Sequence, residues 1–302
     1  MFLPIGDNID RRTLPLVPVL LVFANLFVFL IEGRMFAADP SGGTVLEAFV
    51  LEWGLVPEAL VQGHVLGLVT HMFLHGDLLH IAGNLIVLWA FACSLEIGLG
   101  RWSLLGFYLF FGIVGGLAHA LTDLTSTIPL IGASGAIAGL IGAYTVIYGP
   151  LARIRTLVFL FVHTIECQIP ASAFGIIWVG LQISSAADDV NGASGVAWYA
   201  HLGGFAAGVV VGFLCRRDTK CALTQDREGN LVFQDAPAEQ ATSDSDAPIP
   251  DVWPLPPVCP HCRHALTEQS RLTPNLARCS HPPCRRLVYL EQQTRTPQVG
   301  FS

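Results

Sequence analysis

Two side chains of this sequence could together make an activated nucleophile, and both stand among small residues. Ser134 lies in Ile131-Gly132-Ala133-Ser134-Gly135-Ala136, where a loop passes into an apolar run, and His201 lies in Tyr199-Ala200-His201-Leu202-Gly203-Gly204-Phe205, near the start of another. A serine within hydrogen-bond reach of a histidine is a nucleophile paired with its general base. The glycines beside Ser134 clear space around its hydroxyl. A helix starting there would turn free N–H groups and the positive end of its dipole toward a developing oxyanion. Taken alone, the segment reads better as a helix cap in a small-residue interface. It is not the G-x-S-x-G elbow of soluble hydrolases, because Ala136 stands in place of the second glycine.

A second polar pair could serve the same chemistry. His80 and Asn84 are four residues apart, so on a helix they share a face and offer two hydrogen-bond donors to one cavity. Such side chains also bridge neighbouring spans, and both readings stand at this point. Gly204, Gly208 and Gly212 recur every four residues and make a smooth face, which Gly135, Gly139 and Ala143 match on the earlier run beside the row Ser134, Ala138 and Gly142. If those faces pack, Ser134 and His201 meet near the same ends of their helices. No carboxylate lies at that depth: Glu96 falls at the far end of its run, and Asp188 and Asp189 fall in a loop. A dyad is therefore expected, not a triad.

Polar groups like these are costly in lipid, yet the rest of the chain is built for lipid. Of 302 residues, 52% are hydrophobic and 13% charged, where a soluble domain carries roughly a quarter charged. The mean hydropathy is +0.56. Residues 1–217 hold 21 charged side chains, nearly all between apolar runs, and the last 85 residues hold 18. A membrane domain followed by a water-soluble tail is expected. The net charge of −7 rules out a generally basic surface, and nucleic acid with it as an expected partner.

A membrane helix takes about 20 apolar residues, and six runs come close, at about 14–32, 78–98, 103–121, 133–149, 171–187 and 198–215. The first is read as an uncleaved span, since no small-residue cleavage pattern follows it. The run 156–165 is too short to span and is expected to be interfacial or half-buried. With the N-terminus cytoplasmic, one side collects Arg11, Arg12, Arg101, Arg153, Arg155, Arg216, Arg217 and Lys220, and the other keeps Arg34. That bias predicts both ends in the cytoplasm. The opposite side is acidic, with Asp39, Glu47, Glu52, Glu58, Asp123, Asp188 and Asp189. The first outer loop, about 33–77, is long and apolar, which predicts structure or function of its own. Trp53 there suits a helix lying in the headgroup region.

Four pieces in order, His80-x-x-x-Asn84, Leu95-Glu96-x-x-Leu99-Gly100, Gly132-Ala133-Ser134-Gly135 and Ala200-His201-x-x-Gly204-x-x-x-Gly208, resemble the rhomboid intramembrane serine proteases over about residues 10–217. The resemblance implies an all-α, six-span bundle of bacterial type in the cell's inner membrane. In it Ser134 would attack the scissile carbonyl, His201 would take and return the proton, and His80, Asn84 and the Ser134 backbone N–H would stabilise the oxyanion. Gly132 would shape the loop, Gly135, Gly204 and Gly208 would let helices touch, and His75 would have a structural role. Substrates would be single-span membrane proteins, cut near the outer end of the span after a small residue such as Ala, with no cofactor for catalysis. A relative that binds client helices without cutting them is the alternative, although inactive relatives typically lose the serine or histidine. No oligomeric state follows from the sequence. The chain departs from the family at Ala138, where many members stack an aromatic ring on the histidine, so Tyr144 or Trp198 is expected to hold the ring instead. It also lacks the Trp-Arg pair that some bacterial members carry in the first loop, where Glu52-Trp53-Gly54 is the candidate substitute.

Residues 218–302 read as a separate unit. Residues 218–257 form a hydrophilic linker, rich in Pro, Ala, Ser and Asp from Asp235 to Pro257. Residues 258–302 carry Cys259, Cys262, Cys279 and Cys284, two close pairs with the arithmetic of a zinc ribbon. Cytoplasmic thiols stay reduced, so a structural zinc is expected rather than disulfides. His261, His264 and His281 compete as ligands, and unpaired surface cysteines are the other reading.

Overall fold

The computed structural model describes residues 2–10, 14–39, 44–160, 163–189 and 195–220, with short segments at 223–225, 230–233, 271–273, 276–279 and 287–289. The elements up to residue 220 are mostly helical: β1 (Phe2–Asp7), α1 (Leu16–Ala38), α2 (Thr44–Trp53), α3 (Pro57–Val61), α4 (Gly67–Thr70), α5 (Leu78–Leu99), α6 (Arg101–Ala120), α7 (Ser134–Tyr148), β2 (Arg153–Leu160), β3 (His163–Pro170), α8 (Ala171–Asp188) and α9 (Trp198–Lys220). Four of these, α1, α5, α6 and α9 over Trp198–Arg216, are long and apolar enough to cross a membrane. Their outer surfaces suit lipid. On α1, Leu16, Leu20, Phe23, Phe27 and Leu30 are exposed while Val17, Leu21, Asn25 and Glu32 are buried. Apolar rows of that extent are rare on a protein facing water.

α7 is the hub. Gly135 through Tyr144 are all buried, as are Ile147 and Tyr148. Small residues permit this by letting neighbouring backbones come close. A Cβ on Gly204 of α9 would strike the Gly135 carbonyl, and one on Gly208 would strike the Gly139 carbonyl. On other sides of α7, Phe111 of α6 covers Gly139, and Gly175 of α8 receives Thr145.

The start of α1 is capped from a distance. Pro15 offers no side-chain cap, and Glu96 near the end of α5 accepts from Leu16 N at 3.0 Å and Val17 N at 2.8 Å. One carboxylate thus answers two of the N–H groups that a helix start leaves without intrahelical partners. Glu96 is itself buried. Glu96→Ala is expected to destabilise the fold by about 2–3 kcal/mol, the scale for hydrogen bonds to a charged group. A thermal midpoint in detergent unchanged from wild type would refute the cap.

The described residues of the segment 156–165 lie in two paired strands. β2 and β3 pair antiparallel with Arg153 opposite Pro170 and Leu160 opposite His163, and β1 joins the other edge of β2 with Phe2 opposite Val158. Gly149 ends α7 at φ +48°, and the β-branched and aromatic run Ile154–Phe159 then favours strand over helix. Tyr144 Oη donates to Asp7 Oδ2 at 2.7 Å and ties β1 to α7.

The loop 33–77 is folded into α2, α3, α4 and a 3-10 turn at His71–Phe73. None of the residues of α2 is buried. Leu55 N donates to Leu130 O at 3.0 Å and Leu130 N returns to Leu55 O at 2.9 Å, which staples this loop to the segment preceding Ser134.

A second compact unit comprises 217–224 and 232–302. Within it Arg271–Thr273, Leu276–Arg278 and Leu287–Tyr289 form a three-stranded antiparallel sheet. Cys279 is buried, while Cys259, Cys262 and Cys284 lie outside the described residues.

Candidate active site

Ser134 is the first residue of α7. The residue two before it, Gly132, has φ +115°, a conformation L side chains avoid. Its N–H donates to the His71 carbonyl at 2.8 Å. A Cβ on Gly132 would lie 2.7 Å from His80 Nε2 and 3.7 Å from Asn84 Nδ2. The two side chains of α5 thus converge on the backbone beside the serine. Asn84 is buried, and its Nδ2 has no hydrogen-bond partner among the described residues. A buried donor left so costs roughly 1–3 kcal/mol, which a negatively charged oxygen arriving there would recover.

Two buried histidines support this floor. His71 donates from Nδ1 to the Gly67 carbonyl at 2.8 Å, and burial pushes its imidazole down to about 4. Burial, with the nearby His80 adding to it, pushes His75 down to about 4 as well. Both are therefore neutral near pH 7. The His75 ring meets His80 edge-on with centroids 5.0 Å apart, and its backbone N lies 3.3 Å from both Glu32 carboxylate oxygens.

The structure brings His201 Nε2 within 2.8 Å of Ser134 Oγ. The other ring nitrogen, Nδ1, lies 2.7 Å from Oε1 of Gln182 on α8. Trp198 stands edge-on to the ring at 6.0 Å and 90°, and Trp178 flanks it at 6.2 Å. Of the two aromatics proposed from sequence to hold the ring, Trp198 is therefore at the histidine. Tyr144 is not: it packs on Phe91 and Tyr148 and bonds Asp7. Gln182 went unnoticed in sequence, although an amide four residues after Trp178 on an apolar helix puts both on one face. Gln182 also lines a cavity of about 400 Å³ between α5 and α8, walled by Val87, Phe174, Ile177, Trp178 and Leu181, with Pro4 and Ile169 from the sheet.

The sequence model of the Rhomboid domain matches residues 62–218, just over half of the chain, a range that holds His80, Asn84, Gly132, Ser134, Gln182 and His201. The chain belongs to the rhomboid family. Rhomboid protease GluP of Bacillus subtilis (strain 168) is 29% identical over 191 residues, covering 63% of this chain and 35% of that protein. RHOMBOID-like protein 5 of Arabidopsis thaliana is 30% identical over 175 residues, 58% of this chain and 50% of the relative. Rhomboid protein 1, mitochondrial, of Saccharomyces cerevisiae is 30% identical over 174 residues, 55% and 46% respectively. The chain thus spans from a third to a half of the length of these curated relatives. Family membership and the apolar helices make this rhomboid an integral membrane protein.

Proposed function

We propose that this rhomboid is a serine endopeptidase that cuts single-span membrane proteins within the bilayer. The observation that carries the reading is the 2.8 Å contact between Ser134 Oγ and His201 Nε2, beside the convergent donors His80 and Asn84. Ser134 attacks the scissile carbonyl as His201 removes its proton. The oxyanion receives the Ser134 backbone N–H and the side chains of His80 and Asn84. His201 then returns the proton to the leaving amine, and water repeats the cycle on the acyl-enzyme.

In this reading α7 and α8 complete a six-span bundle with both termini in the cytoplasm of a bacterial cell, supported by the distribution of arginines. The length of α7 supports a recessed site. Its 15 residues span about 22 Å, short of the roughly 30 Å hydrocarbon core, so Ser134 would start below the surface. The cavity between α5 and α8, with Gln182 linking it to His201, is the approach for a substrate helix. The domain plan of a protease over 1–217, a linker over 218–257 and a zinc module at Cys259, Cys262, Cys279 and Cys284 rests on the sequence pattern.

A hydrogen-bonded helix hides its carbonyl carbons, and an unwound segment in lipid has unsatisfied groups at several kcal/mol each. Substrates are therefore expected to carry Gly, Pro or Ser near the outer end of the span, where unwinding is cheapest. A small residue such as Ala is expected before the cut, because the buried backbone at Gly132, Gly135 and Ala138 bounds a small space around Ser134. The test is the purified protein in liposomes with model single-span substrates, wild type beside Ser134→Ala, varying the helix breakers and the residue before the cut separately. Equal cleavage of an all-Leu span would overturn this account of specificity.

A further inference from the structure

We propose that Gln182 is the positioning residue of the catalytic histidine, its side-chain carbonyl fixing the His201 tautomer and ring plane. The inference rests on the proteolytic reading above and extends it to α8. A carbonyl oxygen only accepts, so the 2.7 Å contact between Gln182 Oε1 and His201 Nδ1 requires the proton on Nδ1. A neutral imidazole carries one N–H. Nε2 is then bare, and it is the nitrogen that faces Ser134 Oγ at 2.8 Å. The opposite tautomer would set two lone pairs against each other at Nδ1 and turn an N–H toward the serine, where it could not accept the hydroxyl proton.

Two aromatic walls complete the restraint. Trp178 lies on α8 four residues before Gln182 and flanks the ring at 6.2 Å, while Trp198 meets it edge-on from α9. One helix therefore supplies both a wall and the hydrogen bond. When His201 takes the proton from Ser134, both ring nitrogens become donors. Nδ1–H keeps its bond to Gln182, and Nε2–H points at the atom that will receive the proton. A neutral amide does this without bringing a carboxylate into an apolar helix, where a charge is costly to desolvate.

The rival role for Gln182 is a polar contact that merely joins α8 to α9. The two roles rank substitutions in opposite order. Leu and Met fill the same volume without an acceptor, whereas Glu keeps an acceptor at the same reach and adds charge. The full-length protein in liposomes is assayed on a single-span substrate, with thermal midpoints taken alongside. Gln182→Leu and Gln182→Met are expected to lower kcat by about 10- to 100-fold, by analogy with the scale for losing a group that orients a metal-ligating imidazole, with KM within about twofold. Gln182→Glu is expected to restore most of kcat at neutral pH and to move the acid limb of kcat/KM upward, because a carboxylate beside Nδ1 favours the imidazolium.

Wild-type kcat in Gln182→Leu or Gln182→Met overturns the positioning role, as does a Gln182→Glu that is the least active of the three with an unmoved acid limb. Using two apolar variants guards against one that misfolds. Cleavage surviving Ser134→Ala overturns the dyad reading itself. An inactive Ser134→Ala beside a fully active Gln182→Leu overturns only the role of Gln182.

Discussion

Ser134→Ala and His201→Ala are each expected to abolish cleavage, with a loss on the order of 10⁶ in kcat, the scale on which a serine–histidine unit acts. In the proposed mechanism the nucleophile and its base are one device: without the proton acceptor the hydroxyl is inert, and without the hydroxyl the base has nothing to activate. The double variant is therefore expected to be no worse than either single one. The two singles should differ in stability. Ser134→Ala removes one hydrogen bond at a half-buried site, worth about 1 kcal/mol, and leaves the glycine contacts between α7 and α9 in place. His201→Ala also leaves a gap between Trp178 and Trp198 and leaves Gln182 Oε1 without its donor, so its thermal midpoint should fall further. The measurement pairs cleavage of a reconstituted substrate with thermal unfolding in detergent. A folded Ser134→Ala that still cleaves would remove the serine from the mechanism.

Much of this arrangement was legible because its residues are out of place. Ser, His and Asn in apolar runs need a reason to be there, and glycine at every fourth position announces a close helix contact before any partner is known. Positions along the chain could supply that Ser134 and His201 each lie near the start of a helix. They could not supply the 2.8 Å between them, which depends on α9 lying against α7 at Gly204 and Gly208. Gln182 was illegible for a related reason. Nineteen residues separate it from His201, and which face of α8 meets α9 is decided by packing, not by period. The paired strands β2 and β3 were half-legible. The run was too short to span, but its pairing with Phe2–Asp7 joins segments some 150 residues apart, which no local pattern encodes. Tyr144 misled because an aromatic ring nearly three turns into α7 looked available, while its hydroxyl is committed to Asp7 toward the other end of the helix.

Gly132→Ala and Asn84→Ala are expected to slow turnover strongly for two different reasons, and their stabilities should part company. Asn84→Ala deletes a donor, and loss of one oxyanion donor costs roughly 10²- to 10³-fold in kcat. Since Asn84 Nδ2 has no partner among the described residues, removing it breaks no hydrogen bond of that nitrogen to any of them. The thermal midpoint should hold or rise, because a buried unpaired donor costs about 1–3 kcal/mol. If Asn84 instead joined neighbouring helices, the midpoint would fall and specific activity would survive. Gly132→Ala acts through the backbone. A Cβ there meets His80 Nε2 at 2.7 Å, and the residue must also hold φ +115°, at a strain of about 1–2 kcal/mol for a side-chain-bearing residue. The loop can relax only by turning away from α5, which carries the Ser134 N–H off the line toward Asn84, or by pushing the His80 ring out of the site. Either route spoils the proposed oxyanion pocket, so kcat should fall by at least tenfold along with the midpoint. In the background of His80→Ala, where the clashing ring is gone, the Gly132→Ala defect in stability should shrink toward the backbone strain alone. An undiminished defect in that double variant would mean that Gly132 and His80 do not meet, and the proposed pocket would lose one of its walls.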